Sequence, residues 1–173
     1  SNAQLLGRDP ETIAKNYQAL QGLGLTDSKI VTLAHLLGRN PKTIERNYQK
    51  TIGLLRKDYS DRNSGRGILL SQSSLLGRPT KTIESTVQHL YSIGIDYKDN
   101  PILLSAKPST KRKKLAWMLK ELFDYTTVPE EEKRETVDKL YNFVRNNPKL
   151  LTSSISTLEK KKEKLREKAQ IYK

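Results

Sequence analysis

The feature that most constrains the fold is a phrase that occurs three times along the chain. The copies are LLGRDPETIAKNY from Leu5 to Tyr17, LLGRNPKTIERNY from Leu36 to Tyr48, and LLGRPTKTIESTV from Leu75 to Val87. They start 31 and 39 residues apart, and such a period is typical of stacked two-helix repeats. Because a repeat of this kind buries its apolar face only against its neighbours, the sequence predicts an all-α fold. The expected architecture is a stack of helix-turn-helix repeats, an α-solenoid.

Apolar residues recur at helical spacing between the first two copies. One stripe lies between Ile13 and Leu20, and a second lies between Ile30 and Leu37. After the second stripe, Gly38 suits a left-handed helix end, Asn40 suits an N-cap, and Pro41 suits the first position of the next helix. The phrase is therefore predicted to be the corner between two helices.

The repeats predict one continuous helical domain with an interruption. Residues 4–60 hold the first two repeats, and residues 75–173 hold the third repeat and degenerate C-terminal ones. Residues 61–74, which begin with DRNSGRG, are predicted to be a polar, glycine-rich loop and connector. Ser1–Ala3 is typical of an expression-tag remnant, which is compatible with a longer parent chain.

The charge balance favours a polyanionic partner. The chain carries 32 lysines and arginines against 19 acidic residues, a formal net charge of +13, and residues 106–173 alone hold 18 of the basic residues. Side chains that neutralise phosphates release condensed counterions, so such an excess is typical of nucleic-acid-binding proteins. Solubility or adaptation to heat is the competing interpretation.

Other classes of function find no support in the sequence. The chain has no cysteine, which excludes disulfides and thiolate zinc sites, and its two histidines, His35 and His89, stand in no metal-ligand spacing. No segment is apolar over the length of a membrane span. We therefore expect a soluble protein that is not an enzyme, needs no cofactor or metal and contacts no membrane. Its expected location is the cytoplasm, at the nucleoid in a prokaryote, or an organelle in a eukaryote.

The repeat resembles that of a known family. The pattern P-x-T-I-x-x-N-Y-x-x-L-x-x-L-G-L-x-x-x-K-I-x-x-x-A-x-L-L, from Pro10 to Leu37, is similar to the repeat of the mitochondrial transcription termination factor (mTERF) family. Asn147–Leu151 and Asn100–Leu104 resemble other spellings of the same repeat. The resemblance implies an all-helical superhelix whose concave, positively charged face holds duplex DNA or RNA. Arginines and lysines would contact the backbone phosphates.

A second resemblance is to the bacterial-type DNA-binding helix-turn-helix. Ala34 and Gly38 stand where that motif has its small helix-contact residue and its turn glycine, and Pro41–Lys50 would be the recognition helix. Arg39 and Asn47 occupy positions where that motif has buried apolar residues. The side chains that would face base edges are Lys42, Glu45, Arg46 and Gln49.

Three arginines recur at one position of the phrase. Arg8, Arg39 and Arg78 each stand just before a predicted helix N-terminus, where backbone N–H groups attract anions. Each could bind a phosphate together with the helix end, or bond carbonyls of the preceding helix. The sequence leaves both options open.

Other candidate phosphate contacts are basic residues that helix packing does not require. Lys42, Arg46 and Lys50 share one face of the helix that starts at Pro41, with Lys15 and Lys81 as counterparts in the other repeats. A second cluster opens the helix that contains Trp117, and its members are Lys107, Lys111, Arg112, Lys113 and Lys114.

The sequence thus predicts a nucleic-acid-binding helical-repeat protein that holds the phosphates of duplex DNA or RNA through a basic face. Transcription regulation is the role that the resemblance suggests. A sequence-specific helix-turn-helix regulator and a protein-interaction scaffold are the alternatives. The choice between DNA and RNA, the target sequence and the oligomeric state stay open.

Overall fold

The computed structural model describes residues 7–56, 62–98 and 100–173. Ten α-helices and short 3-10 turns make up this described part of the chain, which contains no β-strand. The predicted all-α class is therefore confirmed. The predicted tag remnant Ser1–Ala3 and the two leucines that open the first copy of the phrase lie outside the described residues.

The helices form two compact units, Ser1–Glu84 and Ser85–Lys173. The division falls inside α6 (Thr80–Ser92) rather than at the predicted connector, residues 61–74. Whether the two units act as one continuous domain stays a prediction.

The first unit is built around the first two copies of the phrase and the start of the third. Every helix of this unit contributes apolar side chains to its core. Its elements are α1 (Pro10–Gly22), α2 (Asp27–Thr32), α3 (Ala34–Leu37), α4 (Pro41–Arg56), α5 (Arg62–Ser71), a 3-10 turn (Ser73–Gly77) and the beginning of α6. The most buried side chains are Leu20, Ile30, Leu36, Ile44, Leu55, Leu69, Leu75, Leu76 and Ile83.

The second unit packs the end of α6 with four further helices. They are α7 (Pro108–Phe123), α8 (Lys133–Asn146), α9 (Ile155–Lys160) and α10 (Lys162–Ala169). The Phe143 ring lies at the centre of this unit, with ring centroids 5.9 Å from Phe123 and 5.5 Å from Tyr172. The first of these edge-on contacts joins α7 to α8, and the second attaches the C-terminal 3-10 turn (Gln170–Tyr172) to α8.

The predicted polar loop is wrong for Arg62–Ser71, because these residues form α5. Ile68 and Leu69 are buried in the first unit. Their burial offsets the low helix propensity of the glycines and serine beside them, since tertiary packing supplies most of a helix's stability. Asp61, the first residue of the predicted loop, lies outside the described residues.

The corner before α4 follows the predicted capping chemistry in part. α4 begins at Pro41, and Oδ1 of Asn40 accepts a hydrogen bond from the backbone N–H of Lys42 at 2.9 Å. Gly38 is not left-handed, because its φ is −89°. A Cβ atom there would stand 3.3 Å from Nε of Arg8, so this glycine instead gives the Arg8 side chain room against the backbone.

The first two copies of the phrase share an asparagine that bonds the corner of the next repeat. Asn16 of α1 is fully buried, and its side-chain amide donates to the carbonyl oxygens of Leu37 at 2.7 Å and Arg39 at 2.5 Å. Asn47 stands at the same position of α4 and donates to the carbonyl of Leu76, the equivalent of Leu37, at 3.4 Å. A helix end leaves its last carbonyls without partners, and at these two corners the preceding repeat supplies a donor. We call this contact the corner bond.

Lys114 makes the corner bond in the second unit. It stands six residues after Pro108, as Asn16 stands six residues after Pro10, and its Nζ donates to the carbonyl of Leu151 at 2.7 Å. Only 6% of Lys114 is exposed, and burial lowers the pKa of its ammonium group. The carbonyl offsets part of the cost of burying this charge.

Candidate nucleic-acid interface

The clearest basic surface of the first unit is one face of α4. Lys42, Arg46 and Lys50 are exposed on it, while Ile44 and Tyr48 of the opposite face are buried in the core. Residues four apart on a helix are separated by about 6 Å along its axis, so the row is about 12 Å long. None of the three has an acidic partner among the described residues. We call this row the α4 basic face.

The α4 basic face continues into a groove between α4 and α6. The groove has a volume of about 480 Å³, and Lys50 and Lys81 lie on its two sides. Because α6 begins at Thr80, the positive end of this helix lies beside Lys81. Glu84 is the acidic residue among those that line the groove. The other lining residues are Gly53 and Leu54.

The structure places all three corner arginines two residues before a helix. Arg8 precedes α1, Arg39 precedes α4 and Arg78 precedes α6. Arg8 and Arg39 are exposed, and Arg78 is half-buried. None of the three side chains donates a hydrogen bond to a carbonyl oxygen of the described residues.

Two of the corner arginines lie close together. Arg8 packs against Gly38 and therefore lies beside the backbone of Arg39. Burial, and then the charge of Arg39, hold the pKa of His35 below its ordinary value of 6.5. Burial and the neighbouring guanidinium thus disfavour a charged His35, and the arginines supply the permanent positive charge at this corner.

Lys15, another of the predicted contacts, has an acidic partner. Its Nζ lies 3.4 Å from a carboxylate oxygen of Glu11, one turn earlier on α1, and both side chains are exposed. Exposed pairs of this kind are weak, so the pair leaves Lys15 free to exchange partners.

The structure divides the predicted cluster at the opening of α7. Lys111 is fully buried and donates to the carbonyl of Ala106, and Lys114 is committed to the corner bond. The prediction that these two lysines bind phosphate is wrong, because neither ammonium group reaches the surface. The members that remain exposed are Lys107, Arg112 and Lys113.

Sequence reasoning missed the donors of the corner bond. Asn16 and Asn47 stand at one position of the first two copies, three residues after the isoleucine of the phrase. A polar residue that recurs beside an apolar stripe was the available signal.

A polar pocket in the second unit was also missed. It has a volume of about 480 Å³, and the exposed Lys149 and Lys161 line it together with Asn100 and Asn147. The two asparagines each open an NP phrase, which is the sequence signal that marks this pocket.

Two kinds of site find no support in the described part of the chain. None of its helices is long and apolar enough to cross a bilayer. No group of three histidine or acidic side chains there could hold a metal ion.

With its stacked helical corners and basic helix faces, this chain is a helical-repeat protein. The sequence model of the mTERF family matches residues 3–173, so the chain belongs to the mTERF family. The resemblance seen in the sequence is thereby confirmed, and members of this family bind nucleic acids. No curated protein and no solved structure matches the chain.

Proposed function

We propose that this chain binds duplex nucleic acid by its phosphates, with the α4 basic face and Lys81 as the central contacts. The observation that carries the proposal is the row of three cations, which have no acidic partner within the described ranges and which continue into the groove at Lys81. The corner arginines Arg8 and Arg39 add charge to the first unit. Within the second unit, the exposed members of the α7 cluster supply further contacts.

The spacing of the row suits a phosphate backbone. Duplex DNA presents one charge per ~1.7 Å of its axis, so a row about 12 Å long has several phosphates within reach. Contacts to phosphates fix the position of the protein and carry no sequence information directly. Binding should therefore be strong at low salt and nearly independent of sequence.

Base recognition by the same helix is the alternative. Glu45 and Gln49 are exposed on α4, and the Gln49 amide donates to the Glu45 carboxylate at 2.9 Å. Asn47, which a helix-turn-helix motif would replace by an apolar residue, makes the corner bond. Because Asn47 bonds the next repeat, this position favours the helical-repeat interpretation over the helix-turn-helix motif.

The proposal is tested by fluorescence anisotropy with labelled duplex DNA, duplex RNA and single strands, each in several sequences. The informative variant is Lys42→Gln/Arg46→Gln/Lys50→Gln. Its matched control is Lys160→Gln/Lys164→Gln/Lys168→Gln, which removes the same charge from three exposed lysines of the C-terminal region.

We expect the α4 variant to lose about tenfold or more in affinity for every duplex, and the control variant to lose much less. Equal losses would mean that net charge alone drives binding. A loss confined to one sequence would favour the helix-turn-helix alternative, and no binding by the wild-type chain would favour a protein scaffold.

A role in transcription regulation follows if the bound duplex blocks an advancing polymerase. Run-off transcription on a template that carries the preferred duplex tests it. Full-length transcripts should decrease with the wild-type chain and recover with the α4 variant.

A further inference from the structure

A groove in the second unit has the character of a small-molecule site. It lies between the end of α6, α7 and α8 and has a volume of about 450 Å³. Small-molecule sites typically have ~300–1,000 Å³, mostly apolar walls and a few polar groups. The walls here are Leu115, Leu119, Val137 and Leu140. We call this the α7–α8 groove.

The apolar walls are only partly covered. Leu115 and Leu140 are buried, but Leu119 and Val137 are half-buried and Ala116 is exposed. An occupant with an apolar body would remove the remaining surface from water, which is favourable in proportion to the area covered.

The charged group of the groove is Arg112. It is exposed, no acidic residue lines the groove, and Arg112 has no acidic partner among the described residues. Burial, and then the charges of Arg112 and Lys111, hold the pKa of the neighbouring His89 below its ordinary range. Arg112 is thus the fixed positive charge at this groove, and a guanidinium pairs most strongly with carboxylate or phosphate.

We propose that the α7–α8 groove binds a small anionic amphiphile, with a carboxylate or phosphate group on Arg112 and an apolar body against Leu119 and Val137. The proposal does not require nucleic-acid binding, although Arg112 is also one of the three exposed cations of the α7 cluster. A neutral apolar molecule would leave the guanidinium without a partner. A small, fully polar anion would leave the walls exposed.

The test is a titration of the full chain, followed by NMR through its backbone amide signals, with four probes. Octanoate and octyl phosphate have both required features, octanol lacks the charge, and acetate lacks the apolar body. We expect octanoate and octyl phosphate to shift the signals of the groove residues in a saturable way. Affinity should rise about fourfold for each methylene added between butanoate and octanoate.

Two variants separate the charged and the apolar contact. Arg112→Gln should weaken octanoate about tenfold or more and leave octanol unchanged. Ala116→Trp fills the groove from an exposed position and should abolish binding of both. Arg134→Gln removes an exposed arginine of α8 that does not line the groove, and it should change neither.

Several results would overturn the proposal. They are the absence of saturable shifts with octanoate, shifts centred away from the groove, and equal binding of octanoate to Arg112→Gln and wild type. Binding only to vesicles of phosphatidylcholine and phosphatidylglycerol, with no response to octanoate or octyl phosphate, would also overturn it. The anionic headgroup of a lipid bilayer would then be the source of the ligand.

Discussion

The corner bond of Asn16 is predicted to stabilise the stacking of the first two repeats. Asn16→Ala removes both hydrogen bonds and leaves the buried carbonyl of Leu37 and the partly buried carbonyl of Arg39 without this donor. A typical hydrogen bond contributes about 1 kcal/mol net, and a buried acceptor left unpaired costs about 1–3 kcal/mol. We therefore expect the free energy of unfolding to fall by about 2–4 kcal/mol.

Asn16→Asp is the sharper form of this test because it keeps the shape of the side chain. An ionised carboxylate only accepts hydrogen bonds, so it would face the two carbonyl oxygens without a donor for either of them. The folded chain should raise the pKa of the introduced carboxyl group. The variant is then least destabilised at acidic pH, and its deficit grows as the pH rises through that pKa.

Equilibrium unfolding in urea, followed by far-UV circular dichroism, measures both changes. Gln18→Ala is the control, because Gln18 is exposed on the same helix and its loss should change stability by less than about 0.5 kcal/mol. Asn47→Ala should cost less than Asn16→Ala, since its bond to Leu76 is 3.4 Å long. A loss below about 0.5 kcal/mol for Asn16→Ala, or a neutral Asn16→Asp at pH 7, would refute the reasoning.

Four further changes test other contacts. Lys114→Met removes the donor to Leu151 and keeps most of the unbranched apolar stem, so unfolding in urea should show a loss of about 1–3 kcal/mol; an unchanged midpoint would contradict it. Gly94→Ala should destabilise by about 1–2 kcal/mol because its φ is +70° and a Cβ would stand 2.5 Å from an arginine side chain. Gly67 lies within α5, and a Cβ atom there would meet open space. Gly67→Ala should therefore raise the free energy of unfolding by about 0.5–1 kcal/mol, and a change of the same sign in both glycine variants would contradict this account. Burial, and then neighbouring cations, lower the pKa of His89 from 6.5 in the folded chain. The stability that the neutral imidazole contributes is therefore fully present above pH 6.5 and is lost as the pH falls through the folded-state pKa. Thermal unfolding of His89→Gln should therefore depend less on pH below 6.5, and a profile as steep as that of the wild type would contradict the assignment.

The local chemistry of the corner was predictable because it depends on neighbouring residues. The N-cap at Asn40 and the helix start at Pro41 follow from side-chain chemistry within one turn. The position of Arg39 before α4 follows from the same boundary. In contrast, the role of Gly38 was not predictable, since it depends on the approach of Arg8 from the preceding repeat.

The buried lysines of α7 show where charge misled the prediction. Lys111 and Lys114 continue the apolar stripe of Leu115 and Met118 at helical spacing, so periodicity indicated the core while the charge run indicated the surface. Periodicity was the correct guide. The acceptor that makes this possible for Lys114 is the carbonyl of Leu151, 37 residues away, which no local pattern reveals.

The basic site was predictable residue by residue, but its arrangement was not. Helical spacing places Lys42, Arg46 and Lys50 on one face, and the structure exposes all three. That Lys50 and Lys81 line one groove depends on the packing of α4 beside α6. Such contacts between distant helices are set by tertiary structure.

The salt dependence of duplex binding tests the central claim most directly, because each phosphate contact changes the slope of log K against log salt concentration by about 0.9. Affinity falls with salt, so the slope is negative. The wild-type slope should be steeper than that of Lys42→Gln/Arg46→Gln/Lys50→Gln by about 2 to 3. The Lys160→Gln/Lys164→Gln/Lys168→Gln control should change it by less than about 1. Equal slopes for the wild type and the α4 variant would show that the α4 basic face does not contact phosphates.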